Sequence, residues 1–438
     1  MISFVFITLA WPISAHPAGI TDVLSSGDSS DAFDGSLSLR WDWSLRDVSI
    51  SREFYCDSSV PGCPSVPSTQ TRSELEAQRV RHVLGIDARI GLYRGFEFYL
   101  DLPLVISDRT NLSFANGVGI GNSSVYDGTV DSLFPVDHEG AKRSGIGDLV
   151  LGFRYAPLQQ WRVPQHPTLV LDLGYEAPTG KVKRADNSAV GEGVHTLHLA
   201  IAASHRIRFV EPYFQLSGDV RFPNTTSESA TLYRNHDSAT QMRVGPGATL
   251  GLTAGTEWFP WRLPRPDRKP GRFATIDLGF SAAYTFPGRE ATELFEALGT
   301  SPCAGRGTSC SGTRPDKNLL AYDRTLDGVQ AGIAGMDGIT DVSGYGAFSV
   351  WAGFRVQPVQ FFELAFRFTY TRETARFLTN ADTGKNLDST NNTIDWKNAN
   401  GQNEFNPVYN SDVDDPGRRF RSDGGNIYGV LLYLTGKL

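Results

Sequence analysis

The chain has 438 residues, of which 20% are charged, with a formal net charge of -7 and a mean hydropathy of -0.25. No window approaches the roughly 18–20 uninterrupted apolar residues that a spanning helix needs, so a helical membrane protein is excluded. An acidic pI of about 5.7 gives no footing for nucleic-acid binding, and 45 glycines with 11% aromatic residues favour short alternating strands over helices.

At the N-terminus, the apolar run Ile2–Ile13 followed by Ser14-Ala15-His16 has the form of a secretory signal. It lacks the usual basic flank, since no Lys or Arg precedes Arg40. An export signal over 1–16 is expected, with a buried N-terminal segment as the alternative. Residues 17–35 would then form a periplasmic segment and 36–438 the body of the protein.

The first strand, Ser36–Leu45, sets Leu37, Leu39, Trp41, Trp43 and Leu45 against Ser38, Arg40, Asp42 and Ser44. Side chains alternate across a strand, so one face is apolar and the other polar. A long loop carries Cys56 and Cys63. The second strand, Arg81–Leu92, and the third, Phe96–Ile106, repeat the alternation across the tight turn Tyr93-Arg94-Gly95. A polar loop over 107–144 leads to Gly145–Tyr155 and its partner Leu169–Ala177. After a loop over 179–192 come Thr196–His205 and Tyr213–Phe222. A loop over 223–244 precedes Ala248–Thr256 and a basic, proline-rich turn, Pro260–Arg272. Thr275–Phe286, the longest loop (287–343, with Cys303 and Cys310), Phe348–Val356, Phe362–Thr371, a loop over 373–424 and Ile427–Thr435 complete the chain.

About twelve strands result, joined alternately by long loops and shorter turns. An even strand count with loops long on one side and short on the other is the signature of an outer-membrane barrel. A strand of about ten residues tilted near 45° spans about 23 Å, close to the apolar band of such barrels. Aromatics near strand ends, among them Tyr93, Phe96, Tyr155, Trp161, Tyr175, Trp258, Trp261, Tyr284 and Tyr370, read as two interfacial girdles. The fold expected is an all-β, closed antiparallel transmembrane barrel in the bacterial outer membrane, with lipid and the barrel-insertion machinery as partners.

The cysteines fall as two pairs, Cys56/Cys63 and Cys303/Cys310, each in a Gly/Pro/Ser-rich loop. Two local disulfides in an oxidising compartment are expected, because no His lies near and the spacing is not that of a metal site.

By parity, the inward face carries Arg40, Asp42, Arg81, Asp87, Arg89, Glu97, Asp101, Asp148, Arg154, Asp172, Glu176, His198, Asp219, Arg221, Asp277, Glu363 and Arg367. A basic group facing lipid at mid-membrane costs about 2–4 kcal/mol, so these side chains must line a lumen. Two readings stand side by side: a polar pore with a mild cation bias, or Arg–carboxylate pairs that fill a small barrel. Loop 287–343 is long enough to fold in and constrict the mouth. Asp148 and Glu176, near outer strand ends, either bind a cation or polar group or hold the strand ends together. His195, His198 and His205 diverge by parity, and Asp412, Asp414 and Asp415 lack the order of a calcium loop. No metal, cofactor or catalytic constellation is expected; Ser204 and His205, being adjacent, face opposite ways.

The run GIGDLVLGFRYAP, then LVLDLGYEAPTG, then VHTLHLAIAASHRI resembles the outer-membrane proteins associated with the meta-pathway of phenol degradation. The motif positions are Gly145, Gly147, Asp148, Pro178, Thr179 and Gly180. The resemblance implies a barrel that passes aromatic or other hydrophobic compounds. The expected function is a channel or passive transporter for small molecules; the alternative is a closed, structural barrel whose loops act at the surface. The terminal strand runs on through Thr435-Gly436-Lys437-Leu438 rather than ending on an aromatic residue, a departure from the usual insertion signal.

Overall fold

The computed structural model describes residues 19–26, 34–56, 66–128, 132–223, 245–263, 272–303, 320, 322–323, 333–334, 336–388, 393–395, 398, 400–401, 404–406 and 408–438. Twelve long strands form one antiparallel sheet in chain order: β1 (Gly35–Cys56), β2 (Ser68–Tyr93), β3 (Phe96–Phe114), β4 (Leu149–Leu158), β5 (Thr168–Ala177), β6 (Val194–Ser204), β7 (Val210–Pro223), β8 (Thr249–Leu263), β9 (Arg272–Thr285), β10 (Tyr345–Val359), β11 (Phe362–Glu373) and β12 (Phe420–Lys437). β12 pairs back onto β1, from Ser36↔Lys437 to Arg52↔Phe420, so the sheet closes and leaves no edge. No helix among the described residues is long and apolar enough to cross a membrane.

Parity sets the two faces. Leu37, Ile86, Leu173, Leu199, Ile201, Leu278, Phe280 and Val350 are exposed on the outside, while Arg40, Asp87, Arg89, Glu97, Arg154 and Asp219 are buried within. An exterior so apolar is stable only against acyl chains. Aromatic rings bound the belt: Phe96 stacks on Phe153 at 5.5 Å near the short turns, and Tyr370 meets Tyr428 at 5.5 Å near the long loops. The turn between β2 and β3 has positive φ at both central residues, Arg94 (32°) and Gly95 (84°), as a tight hairpin requires.

The strands are longer than expected. β1, β2 and β3 run 22, 26 and 19 residues, so Arg46–Cys56, Ser68–Val80 and Ser107–Phe114 are strand where loops were expected. Beyond the belt the pattern inverts. Val48, Ile50, Leu75, Ala77 and Leu112 stay on the inward face and are buried, now against Phe134, Leu294, Leu298, Leu378 and Val413 of the long loops and Phe420 at the start of β12. Outward positions become polar, as at Asp47, Ser49, Glu76 and Gln78. The extensions and loops form a water-facing collar with a hydrophobic core of its own.

Cys56 and Cys303 are buried, and neither is a free thiol. Their expected partners Cys63 and Cys310, like the expected signal segment 1–16, lie outside the described residues.

Candidate functional site: the lumen and its two seals

The lumen divides lengthwise. On the β7–β11 side it is nearly filled, with a space of only about 20 Å³ beside Glu257, Asp277, Arg355 and Arg367. Asp277 accepts from Tyr213 Oη (2.6 Å), Trp351 Nε1 (3.0 Å) and Arg367 Nη2 (2.6 Å). The rings of Tyr213 and Trp351 lie across the wall opposite glycine, and a Cβ at Gly255 or Gly279 would collide with them. Below them Arg355 pairs with Glu257. Glu363, at the short-turn end, bonds Lys437 Nζ at 2.6 Å.

On the β1–β6 side the lumen is hollow. A cavity of about 70 Å³ is lined by Arg40, Arg81 and Asp42, by the apolar Val83, Pro103, Val105 and Val150, and by Glu176 and Glu192. Room for one water needs about 10–15 Å³, so this space holds several. Arg40 bonds Asp101 at 2.8 Å and Asp87 at 3.3 Å, and Tyr99 Oη donates to Asp172 at 3.0 Å. Arg81 lies 3.9 Å from Asp108, and Arg154 lies 3.3 Å from Asp172. Glu176 and Glu192 repel one another here, with Arg221 the guanidinium that opposes both. His198 Nδ1 and Asp219 Oδ1 sit 2.6 Å apart, both buried.

Asp148 lies where two strand ends meet a loop. Its carboxylate accepts from Gly180 N and Glu192 N, each at 2.8 Å, while Thr179 Oγ1 accepts from Leu149 N at 3.0 Å. The Gly-x-Gly-Asp and Pro-Thr-Gly motifs thus lock two neighbouring strand ends to one loop. Asp148 and Glu176 both line the cavity.

Described segments enter the lumen at both ends. At the short-turn end residues 19–26 lie inside the barrel. Ile20 O and Asp22 O accept from Arg154 (2.5 and 2.7 Å), and Asp22 O also accepts from Arg89 (3.0 Å). Gly19 N donates to Glu257 (2.7 Å), Leu24 N to Glu97 (2.6 Å), and Thr21 Oγ1 meets Ser204 Oγ at 2.7 Å. Arg89 and Glu97 also hold each other, Nε to Oε1 at 2.8 Å. Ile20 and Val23 pack against Ala156, Val170 and Ala202. The expected periplasmic segment is therefore partly intraluminal. Ser204 is spent on Thr21 and Glu211.

At the opposite end the described part of loop 287–343, chiefly residues 287–303, folds into the mouth. Glu293 sits between Arg46 and Arg376, and Glu373 bonds the same two arginines, closing a ring of four buried charges. Burial alone would push the Glu293 carboxyl up, but Arg46 and Arg376 hold it down at about 2. Glu296 clamps Arg143 and accepts from Ala141 N at 2.8 Å. Burial, reinforced by repulsion from Arg79 and Arg143, brings Lys183 down to about 7 beside the Phe295 ring.

Several inward charges were missed by the sequence reading: Arg46, Arg79, Glu257 and Arg355, all buried or ion-paired inside. Glu257 falls one residue past the expected end of its strand, which continues to Leu263. Of the polar groups set aside, His195 lies outside, stacked on Phe222 and bonded to Tyr175. Asp412 pairs with Arg418, Asp414 accepts from Ala381 N and Asn410 N, and Asp415 binds Tyr409. No metal-holding group of His, Cys, Asp and Glu occurs among the described residues.

The model of the family described as "Putative MetA-pathway of phenol degradation" matches residues 61–263, from the loop before β2 to the end of β8. The likeness carried by Gly145–Gly180 is thus a likeness to that family. No curated protein matches the chain. Solved barrels that resemble it include an outer membrane channel from Pseudomonas putida F1, at 10% identity over 97% of this chain and 100% of that one, TM-score 0.41. A Pseudomonas aeruginosa FadL homologue follows at 10% identity over 92% and 90%, TM-score 0.32. The Escherichia coli outer membrane protease OmpT follows at 8% identity over 95% and 100%, TM-score 0.31.

Proposed function

We propose that this protein is an outer-membrane channel for small molecules, held closed in the conformation described. The observation that carries the reading is the seal at the short-turn end. It consists of eight residues, 19–26, that belong to no barrel strand and hang from the wall by hydrogen bonds, chiefly through their own backbone. Withdrawing them costs no strand pairing and opens the base of the hollow half. The description of the matched family points to phenolic or other aromatic solutes, and the apolar wall of Val83, Pro103, Val105 and Val150 gives such a solute a surface. Disulfides Cys56–Cys63 and Cys303–Cys310 would stiffen the collar.

Liposome swelling tests this reading. Proteoliposomes of the chain lacking residues 19–26 should take up a small phenol or sugar faster than the full chain does. Equal and negligible uptake by both would favour the alternative, a structural barrel with a filled lumen, which the Asp277 network on the β7–β11 side supports.

A further inference from the structure

The short turns carry a feature that solute passage does not use. Among the described residues, two of the three non-glycine residues with positive φ are arginines at turn tips, Arg94 (32°) and Arg208 (58°). Glycine or asparagine takes that conformation at lower cost, so a guanidinium kept there points to a role for the side chain. Both are exposed. Arg262 and Arg272, which flank the basic turn after β8, are exposed as well.

Acidic side chains at the same end are placed differently. Glu97, Glu211, Glu257 and Glu363 are all at most 2% exposed and turned into the lumen, and no Asp or Glu side chain at this rim is exposed among the described residues. Exposed rings alternate with the arginines: Tyr93, Trp161, Phe209, Trp258, Trp261 and Phe361. Arg94 lies over the Tyr93 ring at 5.3 Å, and Arg162 over Trp161 at 4.7 Å.

We infer that this rim is a docking ring for anionic phospholipid headgroups of the periplasmic leaflet. Guanidinium groups bind phosphate through paired donors, interfacial aromatic rings sit at headgroup depth, and exposed arginines with no exposed Asp or Glu side chain beside them among the described residues attract anionic lipid. The inference depends on the short turns facing the periplasm and not on whether the lumen conducts.

The test uses the full chain reconstituted in vesicles of equal parts phosphatidylglycerol and phosphatidylcholine, re-extracted in mild detergent, with the retained lipid quantified by mass spectrometry. The protein should retain phosphatidylglycerol several-fold over phosphatidylcholine. The variant Arg94→Asn/Arg208→Asn/Arg262→Gln/Arg272→Gln, whose asparagines suit the turn conformation, should lose that preference while still migrating as an intact barrel unboiled. Should the variant not fold, high salt should erase the preference of the unaltered protein. No preference in the unaltered protein, an undiminished one in a folded variant, or one that survives high salt would overturn the inference.

Discussion

The membrane belt and the collar above it are made of the same strands with the same parity, yet they are built in opposite senses. In the belt of β2, even positions such as Ile86 and Ile90 face lipid while Asp87 and Arg89 face the lumen. A few residues earlier Leu75 and Ala77 face inward and are buried, while Glu76 and Gln78 face out. The backbone does not change; the solvent outside it does. Where acyl chains surround the strand, polar groups must turn in; where water does, apolar groups must.

Substitutions that ignore the boundary should separate the two zones. Leu75, 0% exposed in the collar core, should cost about 2–5 kcal/mol when cut to Ala, read by urea unfolding in lipid vesicles. At the lipid face Leu199, 51% exposed, should cost about 2–4 kcal/mol as Leu199→Arg. Gln78→Arg, outward but above the boundary, should stay within about 0.5 kcal/mol in the same assay. If Gln78→Arg cost as much as Leu199→Arg, the boundary would be misplaced.

Acid should split the collar itself. Burial holds the Asp414 carboxyl up at about 7, above its usual value of 3.8. The folded collar therefore keeps a proton that the unfolded chain gives up, and local stability falls as pH rises from about 4 to 7. Hydrogen exchange of the amides of 378–414 should be slower at pH 4.5 than at pH 7, after correction for intrinsic rates, and Asp414→Asn should remove the difference. Glu293 works the other way. Its carboxyl is held at about 2 against a usual 4.5, so its contribution is complete above about 4.5 and is lost as pH falls toward 2. The mouth loop should loosen only there, and Glu293→Gln should mimic the loosening at neutral pH.

The same contrast explains what the sequence disclosed. Alternation in the belt was legible because apolar residues on one face and charges on the other make a period of two that a reader can follow. In the collar both faces of Arg46–Cys56 and Ser68–Val80 look mixed, since the pattern reverses partway along the strand, and these stretches read as loops. The seal at 19–26 was invisible for another reason. Gly-Ile-Thr-Asp-Val-Leu-Ser-Ser has no period, and its bonds to Arg89, Arg154 and Glu257 run through main-chain atoms. Asp148 was legible as a motif, but only the folded chain shows that its oxygens meet the amides of Gly180 and Glu192.

A nitroxide scan along β2 from Leu75 to Leu92 tests the central claim most directly, through the access of dissolved oxygen and of a water-soluble nickel chelate to each label. Labels at Leu84, Ile86, Ala88 and Ile90 should meet oxygen and exclude nickel, those at Glu76 and Gln78 should meet nickel, and those at Leu75 and Asp87 should meet neither freely. Nickel access at Ile86 and Ile90 equal to that at Gln78 would contradict the account.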